Sequence, residues 1–407
     1  MKTPMLAFAG ATLVAAALIG HSSAQQKPAF QPAPENARTL ASAQNDFGVK
    51  LMRELHEPGK NTFISPTSIT QAMQLALMAA DGETEAEMRK AMGLEGIDYK
   101  EANRALLDAI AERKGVKLDI ANSVWGGAGR VEIDADYLAD AAKYFNAEGR
   151  VVDFNNPETL GVINGWVSGK TNGKIPNLLD RIPSDAVAYL VNAVYFKGSW
   201  KYEFEKKNTH EGVFTQDDGT KLMLPMMNMT YDLAYGRVDD VQFTRLAFKG
   251  DGSVGMYFAL PAEGKLDEFV KTFDAALLAK WRQNMATTEL VLQIPRFKLG
   301  YKAGLVEAMQ RLGMQRPFGG LAEFPKFQSG MGNVLISRIL HEAILEVNEE
   351  GAEAAAATAV EMQTESVREE PPKLIINRPF FVAIVDDATG AILFTGAIHK
   401  PEALTAK

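Results

Sequence analysis

Gly250-Asp251-Gly252-Ser253-Val254-Gly255 has the spacing of a dinucleotide-binding glycine loop. That chemistry needs the glycines after a strand and opening a helix, so that the helix N-terminus faces a pyrophosphate. Here Met256-Tyr257-Phe258-Ala259-Leu260-Pro261 follows and reads as a strand, so the segment is expected to be a turn. Ser168-Gly169-Lys170-Thr171 matches the end of a phosphate-binding loop, but Asn164 stands where that loop requires Gly, and a helical pattern precedes it. The five histidines are His21, His56, His210, His341 and His399. No two have metal-ligand spacing, and His341-Glu342 lacks the second His of a zinc-protease helix, so no metal site is expected. A Ser-His-Asp arrangement is not readable from spacing, because its members need not be neighbours, and no nucleophile-elbow motif supports one. The expectation is a protein that is not an enzyme and carries no cofactor. Asn228-Met229-Thr230 is a glycosylation sequon and reads as an ordinary loop.

The segment richest in information contains almost no reactive group. Glu349-Glu350-Gly351-Ala352-Glu353-Ala354-Ala355-Ala356-Ala357-Thr358-Ala359-Val360 places a Gly hinge before a run of very small side chains. Gly351 tolerates the backbone change that a hinge requires. As an extended strand, side chains alternate between faces. One face carries Ala352, Ala354, Ala356, Thr358, Val360, Met362 and Thr364, while Glu353, Glu361, Gln363 and Glu365 fall on the other. That suits a strand with one face on a core and the other toward solvent. An Ala-rich helix or a flexible linker is the plainer alternative, since Ala is the best helix former.

The elements around this segment are legible. Thr39 suits a helix cap before Leu40, Phe47, Leu51 and Leu55, which recur at helical spacing. Ser65-Pro66 begins another helix that runs to about Ala80. Ala186 to Phe196 is apolar throughout and rich in β-branched and aromatic residues, as a strand buried on both faces would be. Val254 to Leu260, Glu289 to Ile294, and Ile344 to Val347 also read as strands. Leu374 to Val385 and Ala391 to Ile398 flank Asp386-Asp387-Ala388-Thr389-Gly390, a hairpin signal. Helices first and mostly strands afterwards predict an α+β fold.

The chain has 407 residues, 46% of them apolar, and a net charge of −8 with no basic cluster. Nucleic acid and anionic membranes are not expected partners. Residues 1–24 read as a signal peptide of bacterial type: Lys2, an apolar run from Leu6 to Ile19, and Ser22-Ser23-Ala24 before a cleavage site. Without a Cys there is no lipid attachment at that site, so the expected location is secreted or periplasmic. Residues 25–38 read as a flexible Pro/Gln leader and 39–403 as one domain, expected to be monomeric.

At this level the chain resembles a serpin over essentially its whole mature length. Asn61-Thr62-Phe63-Ile64-Ser65-Pro66-Thr67-Ser68-Ile69 is similar to the family's N-terminal motif, and Leu118 to Trp125, Val152 to Phe154, Ile163 to Val167 and Thr171 to Ile175 follow the family order. Val191 to Trp200 is the most specific match. Pro225-Met226-Met227, Leu260-Pro261, Ile294 to Phe297, His341 through Thr358, Asn377 to Phe380 and Phe394-Thr395-Gly396 complete it. The resemblance implies a fold of helices packed around three mainly antiparallel sheets, with an exposed reactive-centre loop at about 349–372. It implies a suicide inhibitor of serine, or possibly cysteine, endopeptidases, held covalently as an acyl-enzyme while the cut loop inserts into the main sheet. The hinge would comprise Glu349, Gly351, Ala352, Ala354, Ala356 and Thr358, and Ser65, Ser68, Asn192 and His341 would form the polar shutter beneath the opening sheet. A carrier or chaperone on the same fold is the alternative.

The family's usual spacing of 17 residues from Glu349 sets the reactive bond at Glu365–Ser366. Insertion of that length moves an attached protease roughly 56 Å, at about 3.3 Å per residue. Counting back from Asn377 gives Arg368–Glu369 instead, a trypsin-like bait. Thr364, Met362 and Val360 are further alternatives. Glu365 is preferred because the length before the bond governs trapping.

Overall fold

Ser65 accepts a hydrogen bond from the Ser68 N–H at 3.2 Å, and Pro66 occupies the first turn, where no N–H donor is needed. The helix they start is one of nine among the residues described by the computed structural model, which are 31–183, 186–328, 332, 334–352 and 370–404. These helices are α1 (Glu35–Leu55), α2 (Pro66–Ala79), α3 (Gly82–Met92), α4 (Tyr99–Ala111), α5 (Ala135–Phe145), α6 (Thr159–Lys170), α7 (Leu266–Thr272), α8 (Ala275–Gln283) and α9 (Val306–Arg311). The strands are β1 (Thr62–Ile64), β2 (Val116–Gly127), β3 (Glu132–Ile133), β4 (Glu148–Val152), β5 (Ala188–Ser199), β6 (His210–Thr215), β7 (Lys221–Val238), β8 (Val241–Ala247), β9 (Val254–Leu260) and β10 (Ala286–Pro295). They continue with β11 (Phe297–Gly304), β12 (Phe327–Gln328), β13 (Leu340–Val347), β14 (Gly351–Ala352), β15 (Lys373–Ile375), β16 (Phe380–Asp386), β17 (Ala391–Ile398) and β18 (Glu402–Ala403).

The largest sheet has nine strands in the order β1-β17-β16-β9-β8-β7-β10-β15, with β6 alongside β7. A four-stranded sheet runs β14-β5-β2-β4, a three-stranded one β13-β11-β18, and β12 pairs with β3. The α+β expectation holds. A continuous core joins α1, α2, β16 and β17, and β5 presents Val194 and Phe196 to it. The opposite face of β5 packs Tyr189, Val191 and Ala193 into a second cluster. Burial on both faces explains why this strand is apolar throughout.

Three local expectations differ from the structure. α1 starts at Glu35 rather than after Thr39, because Ala33 and Ala37 are buried and docking extends the helix past the capping signal. The run from Leu374 to Val385 is two strands: Pro379 supplies no ladder donor, and the chain turns at Asn377, whose N–H reaches the Ile375 carbonyl. The sequon lies within β7 rather than in a loop, and the Asn228 amide is tied to the Asn208 and Met226 carbonyls and to Gln293. The glycine run at 250–255 does lead into a strand, β9. No helix among the described residues is long and apolar enough to cross a membrane.

Candidate functional site

β5 and β13 lie side by side, with Cα atoms within 8 Å of each other. Among the described residues no ladder joins them, and they belong to different sheets. β13 ends at Val347, and an antiparallel bridge between Asn348 and Gly351 reverses the chain. β14 then pairs antiparallel with the end of β5, Gly351 with Ser199 and Ala352 with Gly198. β5 and β13 are therefore parallel to each other across an unzipped seam, and the chain leaving β13 already points into its upper end. A cleft opens in this seam between Val194 and Phe196 on one side and Ile344 and Glu346 on the other, above Phe63 and Phe394 of the core.

The hinge is held by specific bonds. Glu349 is buried, and its Oε1 accepts from Arg296 Nη1 at 3.0 Å and from Thr209 Oγ1 at 2.8 Å. Its carbonyl accepts from the Phe204 N–H, and the Glu350 carbonyl from the Trp200 N–H. Asn348 Oδ1 accepts from the N–H groups of Glu350 and Gly351, while its own carbonyl takes the Trp200 indole N–H at 2.9 Å. Gly351 has φ +147°, and a Cβ there would lie 2.1 Å from the Gly198 carbonyl oxygen. Only Gly fits, because the backbone conformation and the close strand approach both exclude a side chain.

Ser65, Ser68, Asn192 and His341 come together under the seam, all buried. The Ser68 hydroxyl donates to Asn192 Oδ1, and Asn192 Nδ2 donates to Asn122 Oδ1 at 2.7 Å. Ser65 Oγ donates to the Leu393 carbonyl at 2.6 Å, and the Ser65 N–H donates to His341 Nε2 at 3.2 Å. Burial depresses the His341 pKa to about 3, so the ring is neutral. With Nε2 accepting, the ring proton sits on Nδ1, which has no hydrogen-bond partner among the described residues. Asn192 and His341 thus reach each other through the first turn of α2 rather than by a direct bond.

α6 closes the outer side. Its Ile163 and Val167 pack with Trp125 of β2 and with Val191 and Ala193 of β5, and Leu340 and Ile344 of β13 join the same cluster. The helix therefore lies on β2 and β5, beside the seam.

Glu349 and Gly351 are thus placed at the hinge, and Ala352 continues β14. Ala354, Ala356, Thr358, Met362, Thr364, Glu365, Ser366 and Arg368 lie outside the described residues, as do residues 1–24. Sequence reasoning did not single out Asn122, Thr209 or Arg296. For Asn122 a signal existed, an amide inside the otherwise apolar run Leu118 to Trp125. Arg296 lies in the matched motif Ile294 to Phe297 but carried no assigned role there, and Thr209 gave no signal, since each is an ordinary polar residue until the fold brings it to Glu349.

An unladdered seam, a chain reversal at its mouth and a buried polar cluster beneath it thus lie together where β5, β13 and β14 meet. The family model described as "Serpin (serine protease inhibitor)" matches residues 42–401. The chain belongs to this family, which is described by its protease inhibitors and is not a family of enzymes. It is 31% identical over 382 residues to intracellular coagulation inhibitor 2 of Tachypleus tridentatus, covering 91% of this chain and 93% of that one. It is 29% identical over 375 residues to corticosteroid-binding globulin of Oryctolagus cuniculus, covering 89% and 96%. The crystal structure of the thermophilic serpin tengpin in the native state superposes with TM-score 0.83 at 28% identity, covering 91% of this chain and all of that one.

Proposed function

We propose that this protein is an exported suicide inhibitor of serine endopeptidases. The observation that carries the proposal is the agreement of two independent registers at the seam. Continued residue by residue, the ladder of β14 on β5 sets Ala354 opposite Phe196, Ala356 opposite Val194 and Thr358 opposite Asn192. Continued in the same way, the Asn348–Gly351 bridge sets Ala354 beside Leu345, Ala356 beside Ala343 and Thr358 beside His341. Opposed residues share a face, and Phe196, Val194, Leu345 and Ala343 all belong to the main core. Both banks therefore bring the small face of the loop inward, and both bring Thr358 between the two shutter residues. After insertion the Thr358 hydroxyl would be a partner for the His341 Nδ1–H, which has none among the described residues.

The second face has a role as well. Ala355, Ala357 and Ala359 would pass Tyr195, Ala193 and Val191, the last two directly beneath α6. That face meets solvent only at its ends, so small residues serve on both sides of the strand. Each inserted residue adds ladder bonds worth about 0.5–1.5 kcal/mol net, on the order of 10 kcal/mol for a full strand. The uncleaved chain withholds that energy. Once a protease has formed its acyl-enzyme at Glu365–Ser366, insertion drags it away, and a displacement of about 1 Å among reacting groups is enough to stop deacylation.

The relative named for corticosteroid binding supports a second reading, a carrier on the same fold. Incubation with a panel of serine proteases, including glutamyl and trypsin-like enzymes, separates the two. The inhibitor forms a complex that survives SDS, and the mass of its C-terminal fragment shows a start at Ser366; a start at Glu369 would move the bond to Arg368. No SDS-stable complex with any protease, together with no rise in thermal stability after loop cleavage, would leave the carrier. Export is supported by the pattern of residues 1–24 and is checked by the N-terminus of protein recovered outside the producing cell, expected at Gln25.

A further inference from the structure

Away from the hinge, the fold brings together two histidines and an aspartate that are far apart in sequence. His56 caps the end of α1, Asp267 lies in α7, and His399 follows β17. The His56 and His399 side chains are only 3% and 2% exposed, whereas Asp267 is 32% exposed. His56 Nε2 is 2.8 Å and His399 Nε2 3.2 Å from the same oxygen, Asp267 Oδ1. One ligand atom from each residue lies within 4.8 Å of the other two.

The far side of each ring is held by a second group. His399 Nδ1 is 2.6 Å from Asp217 Oδ2, and His56 Nδ1 is 3.1 Å from Thr62 Oγ1. Asp217 holds Nδ1 and so turns His399 Nε2 toward Asp267. That atom is buried and has no hydrogen-bond partner among the described residues. It faces a carboxylate oxygen across 3.2 Å, and a cation between the two would engage both. A metal-binding histidine commonly donates its other N–H to a carboxylate in this way. Tetrahedral zinc with bonds of about 2.0–2.2 Å sets its ligands about 3.3–3.6 Å apart, near the 3.2 Å between His399 and Asp267, whereas His56, at 2.8 Å, would have to draw back by about half an ångström. Asp217 and Asp267 together balance a divalent charge.

We propose that His56 Nε2, His399 Nε2 and the Asp267 carboxylate bind one zinc ion, with Asp217 and Thr62 orienting the rings and water filling the outward position. The ion ties the end of α1 to α7 and to the C-terminal strand, a cross-link in a chain that has no cysteine.

Isothermal titration of the intact mature chain with zinc chloride at pH 7.5 tests this. The expected result is one saturable site per chain and a higher thermal midpoint that a chelator reverses. Asp267→Asn should weaken binding at least tenfold, and Asp217→Asn by about 10- to 100-fold. His210→Ala, at an exposed position elsewhere, should leave binding unchanged. Cobalt in place of zinc should give the visible bands of a tetrahedral site. Asp267 is partly exposed and its replacement isosteric, so a folded variant is expected even if changes at His399 prove disruptive. The proposal is overturned if no one-to-one site is found or if Asp267→Asn binds zinc as tightly as the parent. It is equally overturned if the midpoint follows pH but not zinc, since the cluster is then an imidazolium between two carboxylates.

Discussion

His341 is a neutral imidazole that, among the described residues, accepts one hydrogen bond, from the Ser65 N–H, and that state has a thermodynamic signature. Its pKa is about 3 in the folded protein against 6.5 for the free side chain. Above pH 6.5 neither state binds the proton, and the contribution to stability is full. As pH falls from 6.5 toward 3, the unfolded chain takes up a proton that the native state refuses, so stability is lost. The slope approaches about 1.4 kcal/mol per pH unit, or about 2 kcal/mol between pH 7 and pH 5. Urea midpoints of the parent and of His341→Gln, measured across that range, should diverge with the variant flatter; parallel curves would mean that His341 is not buried neutral. The residue itself was legible through the resemblance of its surrounding motif. Its orphaned Nδ1 was not, because that depends on which side of the ring meets α2. The His56–Asp267–His399 cluster was invisible for a related reason: metal-ligand spacing in sequence finds sites built on one element, and this one draws on three.

At the scale of elements, α6 departs from what a covering helix ordinarily needs. It carries Gly161, Gly165 and Gly169, one turn apart and all exposed, and a Cβ at any of them would meet nothing within 4 Å. Packing does not require these glycines, yet each costs about 1 kcal/mol of helix stability relative to Ala. This helix, packed on β2 and β5 beside the seam, is thus intrinsically weak, as the proposed insertion of a strand next to it would require. Replacing all three by Ala should stabilise the native state by about 2–3 kcal/mol. It should also raise the fraction of inhibitor cut without trapping its protease, which gel densitometry against a fixed amount of protease would show. An unchanged fraction would mean that α6 does not limit insertion. Strands with a clear apolar pattern, such as β9 and β17, were readable to the residue, whereas β7 was not. Its exposed middle, around Thr230, carries no alternation strong enough to outweigh a polar sequon, and its strand character comes from pairing with β10.

For the whole molecule, the proposed inhibitor is a two-state device whose second state is open only to a cut loop with small side chains. Ala356→Arg would force a charged side chain into the core opposite Val194 and Ala343. The native fold should be unaffected, since the change matters only on insertion. The variant should be cleaved at the same bond but neither hold the protease in an SDS-stable complex nor gain thermal stability, because a buried unpaired charge costs several kcal/mol. Trapping at parental efficiency would refute the register. The general architecture was legible from composition and motif order. The seam was not, because the absence of a ladder between two adjacent strands leaves no trace in either strand's own pattern.

The largest sheet also has an implication for how the chain is made. β1, near the N-terminus, pairs with β17, near the C-terminus, and β16 fills the place between β17 and β9. The last strands of this sheet in chain order occupy interior positions, so a growing chain cannot complete its core until β16 and β17 have been made. Long-range pairings of this kind also form slowly once the chain is free. A protein threaded through a membrane as an unfolded polymer would gain from that order, since the residues that close its sheet reach the channel after those they pair with.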